Sequence, residues 1–191
     1  MLFSKLTEEQ QKKVYEANPQ LFSDTDYDWW EPLIEDLTVA LSVVGFDDVK
    51  IGFSGFCFQG DGAHFTGSYS YKKGALAKIK SEYPGWIELH ELASELQKLE
   101  SKDFYAITFT IRHKGHYNHE NCTSFDFEDS RDSSRWLSDE LEQDYKYVCR
   151  AFMQHIYNIL EQRYRYLESW EYVKECPEVF DYVDIAMAFE G

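Results

Sequence analysis

Basic residues are scarce in this chain: 19 Lys and Arg stand against 35 Asp and Glu, a formal net charge of −16 at pH 7. A surface so short of cations lacks the footprint that grips a phosphate backbone, and an anionic bilayer repels it. Direct nucleic-acid binding and attachment to a membrane surface are therefore excluded on charge. Long hydrophobic runs are missing too. The longest, Val39-Ala40-Leu41-Ser42-Val43-Val44, falls far short of the roughly 20 residues of a membrane-spanning helix. Met1-Leu2-Phe3-Ser4-Lys5 passes straight into the polar run Thr7-Glu8-Glu9-Gln10-Gln11-Lys12-Lys13 without the apolar centre of a signal peptide, so a cytoplasmic protein is expected. Cys57, Cys122, Cys149 and Cys176 form no Cys-x-x-Cys pair and are expected as reduced, mostly buried thiols. No P-loop, G-x-G-x-x-G, H-E-x-x-H or G-x-S-x-G pattern occurs, a weak argument against the enzyme classes those motifs mark, since many enzymes lack them.

What is present points to a packed globule. Hydrophobic residues make up 43% and aromatics 17%, enough for a dense core with some half-exposed rings. No Pro/Gly/Ser-rich linker or repeat interrupts the chain, so one domain over 1–191 is expected. Thr7, with Gln10 three residues on, is a capping-box signature for a helix over 7–18, and Asn18-Pro19 ends it. Trp30, Leu33, Leu37, Leu41 and Val44 repeat at helical spacing over 28–44, as do Leu89, Leu92, Leu96 and Leu99 within 73–99. Strands are predicted over 49–53 and 63–69, flanking an Asp61-Gly62 turn, and over 104–111 and 123–127. From about Ser134, Leu137, Leu141, Tyr145, Val148, Phe152, Ile156 and Ile159 step by three or four along a helix face. Unbroken to Val173, that helix would span about 60 Å, longer than a chain of this size is wide, so a break near 163–170 is expected, with a last short helix from Pro177. The fold class predicted is α+β: a four-stranded, mainly antiparallel sheet packed against helices, with a long C-terminal helix.

Two hairpin tips carry the local signals. Five glycines fall between Gly52 and Gly67; a twisted hairpin with a tight turn accounts for them, and a second reading adds a ligand or partner surface at Gln59 and Asp61. The second tip, His113-Lys114-Gly115-His116-Tyr117-Asn118-His119-Glu120, holds three of the six histidines. Imidazoles and a carboxylate are zinc-type ligands, and His116, His119 and Glu120 are the candidate set for zinc or another divalent metal, though their spacing matches no specific zinc motif. If sheet order follows chain order, the first and third strands run parallel and both tips lie at one end. Asp61, His113, His116, Tyr117, His119 and Glu120 would then share a surface able to bind a ligand or partner, or to support acid–base or metal chemistry without an evident nucleophile.

The Phe53-Ser54-Gly55-Phe56…Gln59-Gly60-Asp61-Gly62-Ala63…Phe65-Thr66-Gly67 run, the His113-x-Gly-His-Tyr-x-His-Glu run and Leu160-Glu161-x-x-Tyr164-x-Tyr166-Leu167-x-Ser169 together resemble a family of small phage- and plasmid-borne proteins, some with antitoxin-type labels. The likeness covers roughly residues 46–175, and its most specific part is the glycine-rich hairpin. It departs at Phe56-Cys57-Phe58-Gln59, where a Phe-Trp-Ser-Gln pattern is expected. The resemblance implies a mobile-element setting and assigns no catalytic residue.

Carboxylates cluster around the second helix, around the start of the long helix, and at Glu168, Glu171, Glu175 and Glu178. The last four, spaced 3, 4 and 3, would share one helical face if the helix ran through Pro177. Such a face is either a solvated surface or a docking face for a protein with a basic groove, since repeated like charges destabilise a helix by tenths of a kcal/mol per pair. The function expected is an acidic protein-binding module, a mobile-element inhibitor of a host nucleic-acid enzyme or defence complex that mimics DNA or acts like an antitoxin. The alternative is a metal-dependent or small-ligand enzyme at the hairpin tips.

Overall fold

The structure is a computed structural model that describes residues 2–19, 28–183 and 185. It is α+β, and the chain divides into two compact units, Met1–Trp30 with Leu160–Gly191, and Glu31–Ile159, where one domain over 1–191 is the expectation from sequence. In chain order the elements are α1 (Glu8–Ala17), α2 (Glu31–Val44), β1 (Phe46–Phe53), β2 (Ala63–Tyr69), α3 (Ala75–Glu82), α4 (Ile87–Lys102), β3 (Ile107–His113), β4 (Thr123–Asp129), α5 (Asp139–Leu167) and α6 (Trp170–Glu175).

In the larger unit the strands pair antiparallel throughout, in the order β1-β2-β3-β4. Phe46, Phe65, Tyr69, Ile107, Phe109 and Ile111 are buried. Against this layer lies the apolar stripe of α5: Phe152 meets Phe46 with ring centroids 5.6 Å apart, and Tyr145 meets Phe109 at 5.6 Å. Each such ring, fully buried, contributes on the order of 1.5–3 kcal/mol. The predicted stripes of α2 and α4 are buried where expected, at Leu37, Leu41 and Val44 and at Leu89, Leu92, Leu96 and Leu99.

Local chemistry shifts several boundaries. β3 begins at Ile107, not Phe104, because Phe104 and Tyr105 take left-handed conformations (φ 55° and 61°). They close α4 with a bond from the Tyr105 amide to the Glu100 carbonyl, 2.8 Å. α5 begins at Asp139, not near Ser134. Ser133 and Ser134 lie in a turn and 135–138 are irregular, and the Ser138 hydroxyl accepts the Leu141 N–H. α5 ends at Leu167, inside the expected break, because Ser169 turns out of the helix and caps α6 by accepting the Tyr172 N–H. Pro177 opens a 3-10 turn, Pro177–Phe180.

The smaller unit has its own core of Phe3, Val14, Val173, Phe180, Val183 and Ile185. The capping box on α1 is present, with Thr7 and Gln10 as its partners. Asp181 accepts from the Ser4 amide and hydroxyl at 2.7 and 2.9 Å, and the Tyr15 hydroxyl donates to the Glu168 carbonyl at 2.8 Å.

Among the described residues no helix is long and apolar enough to cross a membrane. The expectation of mostly buried thiols fails. Cys149 is buried, and burial pushes its thiol up, but Cys57 is exposed and Cys122 and Cys176 are half-buried. Cys57 lies on the hairpin loop rather than in a strand, which is why it reaches solvent.

Candidate functional site

The β1–β2 loop is built around Asp61. The Ser54 amide donates to the Gly62 carbonyl at 3.1 Å, and the Asp61 amide donates to the Phe58 carbonyl at 3.1 Å. The turn therefore covers 58–61, with Gly60 at φ +97°, its central pair Gln59-Gly60 lying two residues before the expected Asp61-Gly62 turn. Glycine is favoured at the third position of a turn that needs positive φ. Asp61 Oδ2 accepts the Phe58 and Cys57 amides at 2.7 and 2.9 Å. The Phe58 bond, then those of Cys57 and Ser54, hold the Asp61 carboxyl below its usual range. It is a loop anchor, ionised at neutral pH, and supplies no proton.

The β3–β4 loop is likewise held by its own polar groups. The Lys114 amide donates to the Cys122 carbonyl at 2.7 Å, continuing the ladder past His113. His113 Nε2 lies 3.0 Å from the Tyr117 carbonyl, and the Asn121 amide donates to His119 Nδ1 at 3.2 Å. His119 Nδ1 also stands 3.0 Å from a Glu120 carboxylate oxygen.

The two tips lie at the same end of the sheet, as the strand order requires, and they touch. Asn118 Nδ2 donates to the Phe53 carbonyl at 2.9 Å. The Tyr117 ring covers Gly60, and a Cβ at Gly62 would stand 2.9 Å from the Asn118 carbonyl oxygen. Below them the rings of His64 and His113 stack 4.0 Å apart. The joined tips present Phe58, Gln59, His116 and Tyr117 to solvent, Phe58 being 81% and Tyr117 63% exposed.

The metal expectation is corrected. Among the described residues no three His, Cys, Asp or Glu side chains are placed to hold an ion, so His116, His119 and Glu120 do not converge. His119 and Glu120 pair with each other, while His116, three residues earlier on an exposed turn, joins no such group. The joined tips are a surface: Asp61, His113, His119 and Glu120 are engaged in holding the loops, and His116 is exposed.

A second polar cluster escapes sequence reasoning. Glu100 is fully buried; Tyr145 donates to its Oε1 at 2.9 Å, and Oε2 has no partner among the described residues. Burial raises the Glu100 carboxyl to about 7, against the lowering effect of the Tyr145 bond. Nearby, Arg135 bridges Asp103 at 2.7 Å and Asp129 at 2.8 Å, and Arg131 binds Asp129 at 2.8 Å. The hydrogen bonds from Arg131, then Arg135, hold the Asp129 carboxyl far below its ordinary value. This clamp ties the end of α4 to the end of β4. Its signal in the sequence is phase: Glu100 and Asp103 continue the stripe of Leu92, Leu96 and Leu99.

The acidic face drawn through Glu168, Glu171, Glu175 and Glu178 is not one helical face. Glu168 sits in the turn after α5, Glu171 and Glu175 lie on the short α6, and Glu178 lies on the 3-10 turn beyond it. Glu175 also accepts the Tyr166 hydroxyl at 2.6 Å.

Residues 29–169 match the family described as a domain of unknown function, DUF8835, and the chain belongs to it. No curated protein and no solved structure matches. The matched span takes in both hairpin tips, the clamp and all of α5, and it ends before Glu171, Glu175 and Glu178.

Proposed function

We propose that this chain is an acidic protein-binding module whose partner presents a basic surface. The observation that supports it most is the net charge of −16 combined with its placement. Asp126, Glu128, Asp132, Asp139 and Glu140 are all exposed around the end of β4 and the start of α5. A field of this sign steers cationic partners and speeds their encounter, an effect screened over about 8–10 Å at physiological salt. An inhibitor that enters the basic groove of a nucleic-acid enzyme is the specific form of this reading. A carboxylate-dense face there stands in for duplex DNA, which carries one charge per about 1.7 Å of axis.

The test is capture by the immobilised protein from nuclease-treated lysate of the source cells, followed by a salt gradient. A discrete basic protein, held at low salt and released as salt rises, is expected. Release of the same protein by added duplex DNA would establish the groove-occupying form. Capture of nothing, or retention indifferent to salt, would count against the module.

A further inference from the structure

The two edges of the sheet differ. β1 is irregular, with a register shift between Asp47 and Lys50 and Asp48 at φ 54°, features that discourage another strand from joining. β4 is regular: its register with β3 is unbroken from Ile107↔Asp129 to His113↔Thr123. The Ser130 amide donates to the Ala106 carbonyl and the Lys114 amide to the Cys122 carbonyl, and both pairs fit that register. Hydrogen-bonded pairs alternate along an antiparallel ladder. The backbone groups of Ser124, Asp126 and Glu128 therefore face β3, and the N–H and C=O of Phe125 and Phe127 point out from an edge that no further strand among the described residues covers.

Side chains divide the same way. Phe125 and Phe127 lie on the helix side, stacked on each other at 6.0 Å, with Phe127 5.8 Å from Tyr145. Both are only half-buried. Beside them a groove of about 280 Å³ opens toward Trp136, which is 91% exposed, and Glu142. On the opposite face Asp126 and Glu128 are exposed. Lys146 Nζ lies 5.6 Å from the centroid of the Phe127 ring and pairs with Glu142 one helical turn away at 2.7 Å.

We infer that the β4 edge takes up an extended segment of a protein partner as a fifth strand. That segment carries Lys or Arg at alternate positions, with apolar side chains between them. Its backbone would pair with Phe125 and Phe127, its apolar side chains would fill the groove beside Phe125, Phe127 and Trp136, and its cations would meet Asp126 and Glu128. Charge selects the occupant. A second copy of β4 would set Glu128, and Asp126 already paired with Arg112 at 3.0 Å, against their own kind, whereas a cationic strand meets carboxylates of opposite sign. The inference rests on the acidic-module reading and names the site through which it acts.

The probe is a short capped peptide alternating lysine with valine and threonine, titrated into the full chain while amide hydrogen exchange is followed residue by residue. Binding should slow exchange at the Phe125 and Phe127 amides by about tenfold or more, since those N–H groups gain acceptors. Backbone N-methylation of the peptide's pairing edge, or glutamate in place of its lysines, should weaken binding by about tenfold or more. Asp126→Lys with Glu128→Lys should do the same. Binding without protection at Phe125 and Phe127, an N-methylated peptide that binds as well, or no binding at millimolar peptide would each overturn the inference. A lysate partner still held in a salt-sensitive way by the Asp126→Lys, Glu128→Lys protein would overturn the β4 site and leave the acidic module standing. Edge binding of the peptide with nothing captured from lysate would do the reverse.

Discussion

The imidazole of His64 lies flat against that of His113, with centroids 4.0 Å apart and planes 14° from parallel. His64 is buried, and its Nδ1 has no hydrogen-bond partner among the described residues. Burial, and secondarily the neighbouring His113, lower its pKa from 6.5 to about 4. The unfolded chain therefore binds this proton more readily than the native one. Stability from a neutral His64 is complete above about pH 6.5 and is lost as pH falls toward 4. His64→Gln should remove that part of the acid-side decline in melting temperature; an unchanged profile would show that the ring is not held neutral.

Glu100 titrates in the opposite sense. Its carboxyl rises from 4.5 to about 7 on folding, so its contribution is complete below about pH 4.5 and is lost as pH rises through 7. Glu100→Gln keeps an acceptor for the Tyr145 hydroxyl and removes the charge. The variant should match the parent near pH 4.5 and melt higher at pH 8. Tyr145→Phe should lower stability by about 1–3 kcal/mol, the usual effect of leaving a buried polar group unpaired. A Glu100→Gln protein that melts lower than the parent at pH 8 would contradict the assignment.

Gly62 tests whether the tips are in contact. A Cβ there would stand 2.9 Å from the Asn118 carbonyl oxygen and 3.1 Å from the His119 ring. Gly62→Ala should destabilise the fold by about 1–3 kcal/mol, as overpacking does, and should move the amide resonances of Tyr117, Asn118 and His119. A neutral substitution with unmoved resonances would mean the loops stand apart.

Arg112 and Arg135 both pair with aspartates, in different surroundings. Arg112 meets Asp126 at 3.0 Å with both side chains exposed, so Arg112→Ala should alter stability by no more than about 1 kcal/mol. Arg135 joins Asp103 and Asp129, whose side chains are 8% and 1% exposed. Arg135→Ala removes both bonds at once, leaving Asp129 to Arg131 and Asp103 with Arg131 only at 3.8 Å, and should lower the melting temperature by clearly more than Arg112→Ala, and added salt should not close the gap. Equal effects would show that the clamp carries no special weight.

Much of this was written locally. Thr7 and Gln10 announce α1, the leucine spacing announces α4, and sheet order equal to chain order puts both tips at one end. The start of β3 was not legible, because Phe104 and Tyr105 have strand propensity and instead take left-handed conformations that close α4 onto the Glu100 carbonyl. Arg131 lies over the Phe104 ring, and Tyr105 packs on Tyr71. The reach of the acidic face was misread for a similar reason. Its spacing is helical, but Ser169 is a better cap than a helix interior residue. The clamp stayed hidden because charged residues at stripe positions read as the end of a helix rather than as a buried pair.

The sheet consists of two long hairpins stitched along a short seam. β2 and β3 pair over only Gly67↔Ile111, Ser68↔Thr110 and Tyr69↔Phe109, and two helices lie between them in sequence. Toward the tips the ladder stops, and its place is taken by the His64–His113 stack and the Asn118 bond to Phe53. The tips therefore act as a clasp, closing the half of the seam that backbone pairing leaves open. A native-state opening that begins there would part the sheet between β2 and β3, each hairpin leaving intact.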